Sequence, residues 1–280
     1  MWSKSTTPCD GASSSGVCLI NNVPLLTVAL LCLAAGVSGW IDSVVGGGGI
    51  IQLPALLIAL PAPAPVAVAS GTNKLASFIG TSMATGTYLR KVRISWPTVL
   101  AVAAVAYAGS SIGAVLIRDV PRTAFTPVII VVVAVIGIYT WRRPRLGQTT
   151  RLLHPGWAHW AIALVIGAAC GFWDGLVGPG TGVFLVIGFV ALLGYGFLEA
   201  TAMAKVVNLT TNVAALVVLG SSGHVLWGVG GCMAVFSLAG AAIGSRMALK
   251  RGNRFIRLVF LGVVVLVEAK LIFDLVTLYL

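Results

Sequence analysis

Residues 39–46 read Gly39-Trp40-Ile41-Asp42-Ser43-Val44-Val45-Gly46, and residues 171–178 read Gly171-Phe172-Trp173-Asp174-Gly175-Leu176-Val177-Gly178. The two octets align at an offset of 132 residues, with both terminal glycines and the Asp in register. One deletion later the offset becomes 131, at which Lys74 meets Lys205, Trp96 meets Trp227 and Gly113 meets Gly244. Spaced Gly, Trp, Asp and Lys agreeing at one offset mark a chain built by internal duplication.

What surrounds the repeat sets the class. Of 280 residues, 58% are hydrophobic and only 9% are charged, and the mean hydropathy is +1.02, far more apolar than an ordinary soluble domain. Apolar runs long enough to span a bilayer recur, near 23–44, 66–88, 94–117, 122–141, 157–177, 198–220, 225–248 and 255–278. Two shorter pieces, 49–60 and 182–196, follow the repeated octets. A 12-residue helix reaches only about 18 Å, too short for a hydrocarbon core of roughly 30 Å. Segment 49–60 is therefore expected to be a half-helix or re-entrant segment. The expected fold is all-α: a polytopic membrane protein with Gly-broken, re-entrant helical segments. Its expected parts are a flexible N-terminal tail (1–22), a first membrane repeat (23–141), a basic linker (142–156) and a second membrane repeat (157–280).

The net charge of +11 does not describe a nucleic-acid surface. It is concentrated at Arg90, Lys91 and Arg93, at Arg142, Arg143, Arg145 and Arg151, and at Lys250, Arg251, Arg254 and Arg257, all between apolar spans. Such clusters mark the cytoplasmic side by the positive-inside rule. Loop 220–224 has no Lys or Arg and is expected outside, as is loop 118–122, where Asp119 offsets Arg118 and Arg122. The basic loop 90–93 thus corresponds to a neutral loop, and the balanced loop 118–122 to a basic one. Corresponding loops of opposite character predict halves of opposite orientation, an inverted-topology repeat of the kind common in secondary transporters.

The chemistry then narrows. Gly46-Gly47-Gly48-Gly49 corresponds to Gly178-Pro179-Gly180-Thr181-Gly182, and each tract interrupts an apolar run just after an Asp. Matched interruptions point to a transporter's binding site, because helix starts leave N–H groups unpaired and glycine lets a ligand approach the backbone. Close helix packing is the alternative. Lys74 and Lys205 lie inside apolar stretches, where a charge costs roughly 2.5–3.5 kcal/mol on insertion scales and by default suggests function. Cys9, Cys18, Cys32, Cys170 and Cys232 have no metal-like spacing, and no nucleotide-binding, zinc or redox motif occurs. No cofactor, metal or enzymatic activity is expected.

Residues 39–49, Pro54 and Gly71-Thr72-Asn73-Lys74-Leu75, with Asp174–Gly182 and Ala204–Asn212 in the second half, resemble the TauE/SafE family of sulfite and organosulfonate exporters over about residues 30–275. The resemblance implies a multi-pass permease of the bacterial inner (cytoplasmic) membrane for small sulfur-containing anions such as sulfite or sulfoacetate. Such a transporter would work by alternating access, with proton coupling as an option. A channel for other small anions and a non-transporting structural or assembly protein are the alternatives. The partners expected are the anion and the lipid bilayer, with no nucleic acid.

Candidate substrate-binding residues are Lys74 and Lys205, whose compact ammonium groups offer three donors each, with Asn73, Asn208 and Asn212, Thr72, Thr181 and Thr211, and the backbone at Gly47, Gly48, Gly49, Gly180 and Gly182. For the lysines, an internal ion pair with Asp42 and Asp174 or snorkelling to the interface are the other roles. Asp42 and Asp174 are candidates for coupling or for capping the breaks. One departure from the family pattern stands beside Lys74: Ser77 occupies the place where Asn208 supplies an amide. Lys205 is therefore expected to be the more essential lysine. Glu268, Lys270 and Asp274 in the last span have no first-half equivalent; Lys270 and Asp274, four apart, can pair on one face and suggest an interhelical or homodimer contact.

Overall fold

A computed structural model describes residues 19–21, 23–60, 65–117, 149–154 and 156–279, and side chains only as far as Val263 together with Val265. The span expected over 122–141, loop 118–122, Cys9, Cys18 and the side chains of Glu268, Lys270 and Asp274 lie outside what is described. Among the described residues the helices are α1 (Leu25–Val45), α2 (Gly49–Ala59), α3 (Val66–Leu89), α4 (Trp96–Leu116), α5 (Trp157–Leu176), α6 (Thr181–Ile187), α7 (Phe197–Ser221) and α8 (Trp227–Tyr279). Both short apolar pieces are short helices. The second is less regular than a single half-helix: α6 passes into π-helical turns over Gly188–Leu193 and stops at Gly194, whose φ is 87°. Non-helical Gly252 breaks α8 into two arms, 227–251 and 253–279.

Helix boundaries follow local chemistry. Prolines 24 and 65 precede α1 and α3, and Pro97 opens α4, where a missing N–H costs nothing. The first long helix ends at Gly46, left-handed at φ 89°, whose N–H closes on Asp42 O at 2.7 Å, the αL helix stop that glycine supplies. Gly178, its repeat partner, takes the same conformation at φ 88° after α5.

Of segment 1–22, residues 19–21 are described. Leu19–Ile20 pair antiparallel with Val23–Pro24, and Asn21 Oδ1 accepts the N–H of Val229 in the first turn of α8 at 3.2 Å.

Among the described residues, five helical stretches, 25–45, 96–116, 157–176, 197–221 and 227–263, are long and apolar enough to cross a membrane. The expected span 66–88 forms as α3 but is too polar to join them. Its Ser70, Thr72, Asn73, Lys74 and Thr81 are buried inside the protein and not on its outer face. Outward faces are apolar instead. On α1, Leu26, Leu30, Leu33 and Val37 are exposed at three- and four-residue steps, one stripe of a helix that a bilayer covers. Trp96, Trp157 and Trp227, all exposed, open α4, α5 and α8, the position of interfacial aromatic anchors.

Packing crosses between the two sequence halves. The first helix lies against the first arm of α8, with Gly36, Gly39, Gly240 and Gly244 at the contact; a Cβ on Gly240 would stand 2.0 Å from Gly36 O. The fourth lies against α5 in the same way, and a Cβ on Gly175 would stand 2.0 Å from Ser110 O. Gly39 and Gly171 correspond in the repeat, as do Gly113 and Gly244, so one small-residue interface is used twice. At one end of the bundle, loop 90–95, the start of α5, residues 149–153, loop 194–196 and the α8 break come together. Ser95 Oγ and His159 Nε2 both contact Thr98 Oγ1, Arg151 N donates to Gly194 O, and Leu198 N donates to Asn253 Oδ1. At the other end, Thr72 Oγ1 accepts Leu226 N beside loop 222–226.

Candidate functional site

Both glycine breaks arrive at the centre of this bundle and touch. A Cβ on Gly46 would lie 2.4 Å from Gly182 Cα, and one on Gly182 would lie 2.4 Å from Gly46 Cα. Only a residue without a side chain permits that approach. The second break is braced by Trp173, whose Nε1 donates to Pro179 O at 3.0 Å and whose ring meets Phe184 edge-on. Thr181 Oγ1 donates to Gly178 O at 2.8 Å.

The repeated Lys and Asp residues meet across the halves. Lys74 Nζ on α3 lies 2.6 Å from Asp174 Oδ2 on α5, and Lys205 Nζ on α7 lies 3.0 Å from Asp42 Oδ2 on α1. Each lysine thus pairs with the aspartate of the other half. Lys74 and Lys205 are 2% and 1% exposed, which overturns the snorkelling alternative: neither ammonium reaches an interface. The pairs differ in detail. Lys205 Nζ also donates to the main-chain oxygen of Asp42, and Asp42 Oδ2 also accepts from Thr81 Oγ1 at 3.3 Å. Asp42 is 17% exposed, whereas Asp174 is 2% exposed.

Between the pairs lies a polar cavity of about 20 Å³ (the volume open to the centre of a water molecule), room for one or two waters. Of the candidates, Asp42, Gly49, Asn73, Lys74, Asp174, Thr181, Gly182, Asn208 and Asn212 line it. Asn212 Nδ2 and Asn73 Oδ1 are buried without a hydrogen-bond partner. Unmade hydrogen bonds at buried groups are costly, and here a donor on α7 and an acceptor on α3 are left open beside the cavity.

The remaining candidates stand elsewhere. Lys205 is engaged by Asp42 behind the wall, and Thr72 donates to Val68 O and accepts from the α7–α8 loop. Thr211 bonds back to Asn208 O. A Cβ on Gly47 would meet Val263, one on Gly48 would meet Ser38 and Asp42, and one on Gly180 would meet only the Phe184 ring. Three lining residues fall outside the candidate set: Gly46, Gly178 and Ser77. Their signal is present in the repeat. Ser77 corresponds to Asn208, and Thr81, which holds Asp42, corresponds to Asn212.

Comparison with known proteins agrees with this geometry. The family model described as "Sulfite exporter TauE/SafE" matches residues 31–271. A probable membrane transporter protein, ORF9, from Sinorhizobium sp is 36% identical over 247 residues, covering 88% of this chain and 93% of that protein. The probable membrane transporter protein YfcA of Escherichia coli (strain K12) is 35% identical over 251 residues, covering 90% and 91%. One from Haemophilus influenzae is 32% identical over 247 residues, covering 88% and 95%. No solved structure matches. The apolar spans around a charged centre and these relatives define a membrane transporter, a multi-pass protein of the cytoplasmic membrane. The chain belongs to the TauE/SafE sulfite exporter family.

Proposed function

We propose that the protein is a secondary transporter, not an enzyme, and that it moves small sulfur-containing anions (sulfite, sulfoacetate or related organosulfonates) by alternating access between two inverted halves. The observation that carries this reading is the central constellation: two buried ammonium groups, each held by a carboxylate of the other half, with Lys74 on the wall of a cavity with unpartnered amide atoms and Lys205 behind it. An oxyanion is the ligand such donors fit, since ammonium and amide N–H groups both bond its oxygens. Both ammonium groups are already taken by carboxylates, so seating an oxyanion on either one requires an ion pair to open. That requirement is what a carrier's conformational cycle provides and an always-open pore lacks.

Inversion is supported by where the helices begin. The first starts at the end holding loop 222–226 and finishes at the central Gly46. The fifth starts at the end holding loop 90–95 and the α8 break and finishes at the central Gly178. The second end carries the exposed Arg90, Lys91, Arg93, Arg151, Lys250 and Arg251, which makes it the cytoplasmic end by the positive-inside rule.

Counterflow tests the reading: purified protein in liposomes preloaded with sulfite or sulfoacetate should accumulate labelled anion from outside, with saturation and trans-stimulation. Flux without saturation points to a channel, and the absence of flux for sulfite, sulfate, thiosulfate, sulfoacetate and taurine alike would remove the proposal.

A further inference from the structure

The two ion pairs occupy equivalent places in the repeat and are not equivalent in chemistry. Resting on the transport reading above, we infer that Asp42 carries a proton along with each anion, while Asp174 stays ionised as the fixed counter-ion of Lys74.

The difference lies in what each lysine keeps when its carboxylate is neutralised. Lys205 has two acceptors, the Asp42 carboxylate and the Asp42 main-chain oxygen. A proton on the carboxylate leaves the ammonium hydrogen-bonded and uncompensated by only a charge, ready for an incoming anion. Among the described residues Lys74 has one ion-pair partner, Asp174 Oδ2 at 2.6 Å, in a contact without hydrogen-bond geometry, so a proton there strands a buried cation, the costly outcome for any buried pair. Exposure differs in the same sense: both aspartates line the cavity, but Asp42 is 17% exposed and Asp174 only 2%.

The groups facing Asp42 are consistent with a proton carrier. From α7 there is Lys205, and from α3 there are Thr81 and Tyr88, the latter donating to Ser43 O. Across the cavity lies the neutral Lys74–Asp174 pair. Where α8 and α6 meet the Asp42 helix and its end they carry Gly240 and Gly244, against Gly36, Trp40 and Ser43, and Gly182, against Gly46, none of them charged. Lys205 is the one cation among these that Asp42 alone compensates.

The cycle balances. On the loading side a proton from water forms an O–H bond on Asp42, and the anion takes the place of the carboxylate on Lys205. On the far side the anion leaves, the proton returns to water and the carboxylate pairs with Lys205 again. Proton and anion travel in the same direction, so a high internal anion concentration drives both outward, and the net charge moved with a monoanion is zero.

The test uses the full-length protein in liposomes, with sulfoacetate as probe, a pH dye inside and the membrane potential clamped. Wild-type uptake is expected to bring protons in with the anion. Asp42→Asn, a mimic of the protonated state, should lower counterflow and leave the remainder carrying no protons and insensitive to a pH gradient. Asp174→Asn should leave any residual flux proton-coupled. Should either variant fail to fold, Thr81→Val, which removes a bond made to the charged Asp42, should shift the pH of half-maximal coupled uptake upward. Protons carried by Asp42→Asn, an unmoved pH profile in Thr81→Val, or wild-type counterflow with no proton movement would overturn the assignment and leave the transport reading standing. Absence of wild-type counterflow for every anion would instead overturn the transport reading and this assignment with it.

Discussion

Lys74 and Lys205 hold the centre through bonds that are costly to half-remove. Breaking a buried pair by deleting one partner typically destabilises by about 3–5 kcal/mol, whereas replacing both partners is often neutral. Lys74→Ala should therefore lower thermal stability sharply, and Lys74→Ala with Asp174→Ala should recover most of it without recovering anion counterflow. Counterflow restored in the double variant would reduce the pair to a structural brace. Asn212 gives the complementary case. Its Nδ2 is unpartnered, so Asn212→Ala should leave thermal stability within about 1 kcal/mol and raise the KM for anion uptake about tenfold, the loss of one hydrogen bond of roughly 1.4 kcal/mol. At this scale the sequence identified the charged residues, because a lysine in an apolar run stands out. It did not identify the swap of partners, since pairing across 100 residues (Lys74 to Asp174) or 163 residues (Asp42 to Lys205) is set by packing and not by local spacing.

Helix packing here depends on glycines read twice over. Gly175→Ala and Gly240→Ala each place a methyl 2.0 Å from a facing carbonyl oxygen, and overpacking of this kind costs typically about 1–3 kcal/mol. Both should lower the melting temperature to a similar extent, because each belongs to one copy of the same interface. Gly86→Ala and Gly231→Ala meet nothing within 4 Å and should be neutral or stabilising by about 0.5–1 kcal/mol through helix propensity. A thermal-shift series over the four variants separates packing glycines from permissive ones. The helix bounds were largely legible, since prolines, left-handed glycines and apolar run lengths act locally. The burial of the polar residues of α3 and the π-helical turns after Ile187 were not, because both depend on the neighbouring helices that enclose them.

For the whole molecule, the inverted reading predicts which loops face which compartment. In a cysteine-free background, Ser221→Cys should react with a membrane-impermeant maleimide added outside intact cells, and Lys91→Cys only after permeabilisation. Labelling of both from the same side would contradict the inversion. The duplication, the membrane class, the two glycine breaks and the list of ionisable residues followed from the sequence alone, because hydropathy and repeat register are properties of the chain read in order. Which end of the bundle gathers the basic loops, that Gly46 and Gly182 meet, that each lysine is neutralised by the other half, and that Thr72 and Lys205 stand off the cavity wall were decided only by the tertiary structure. The physical reason is common to all four: in a bundle whose halves interlock, the partner of a buried group is fixed by helix crossings between distant segments.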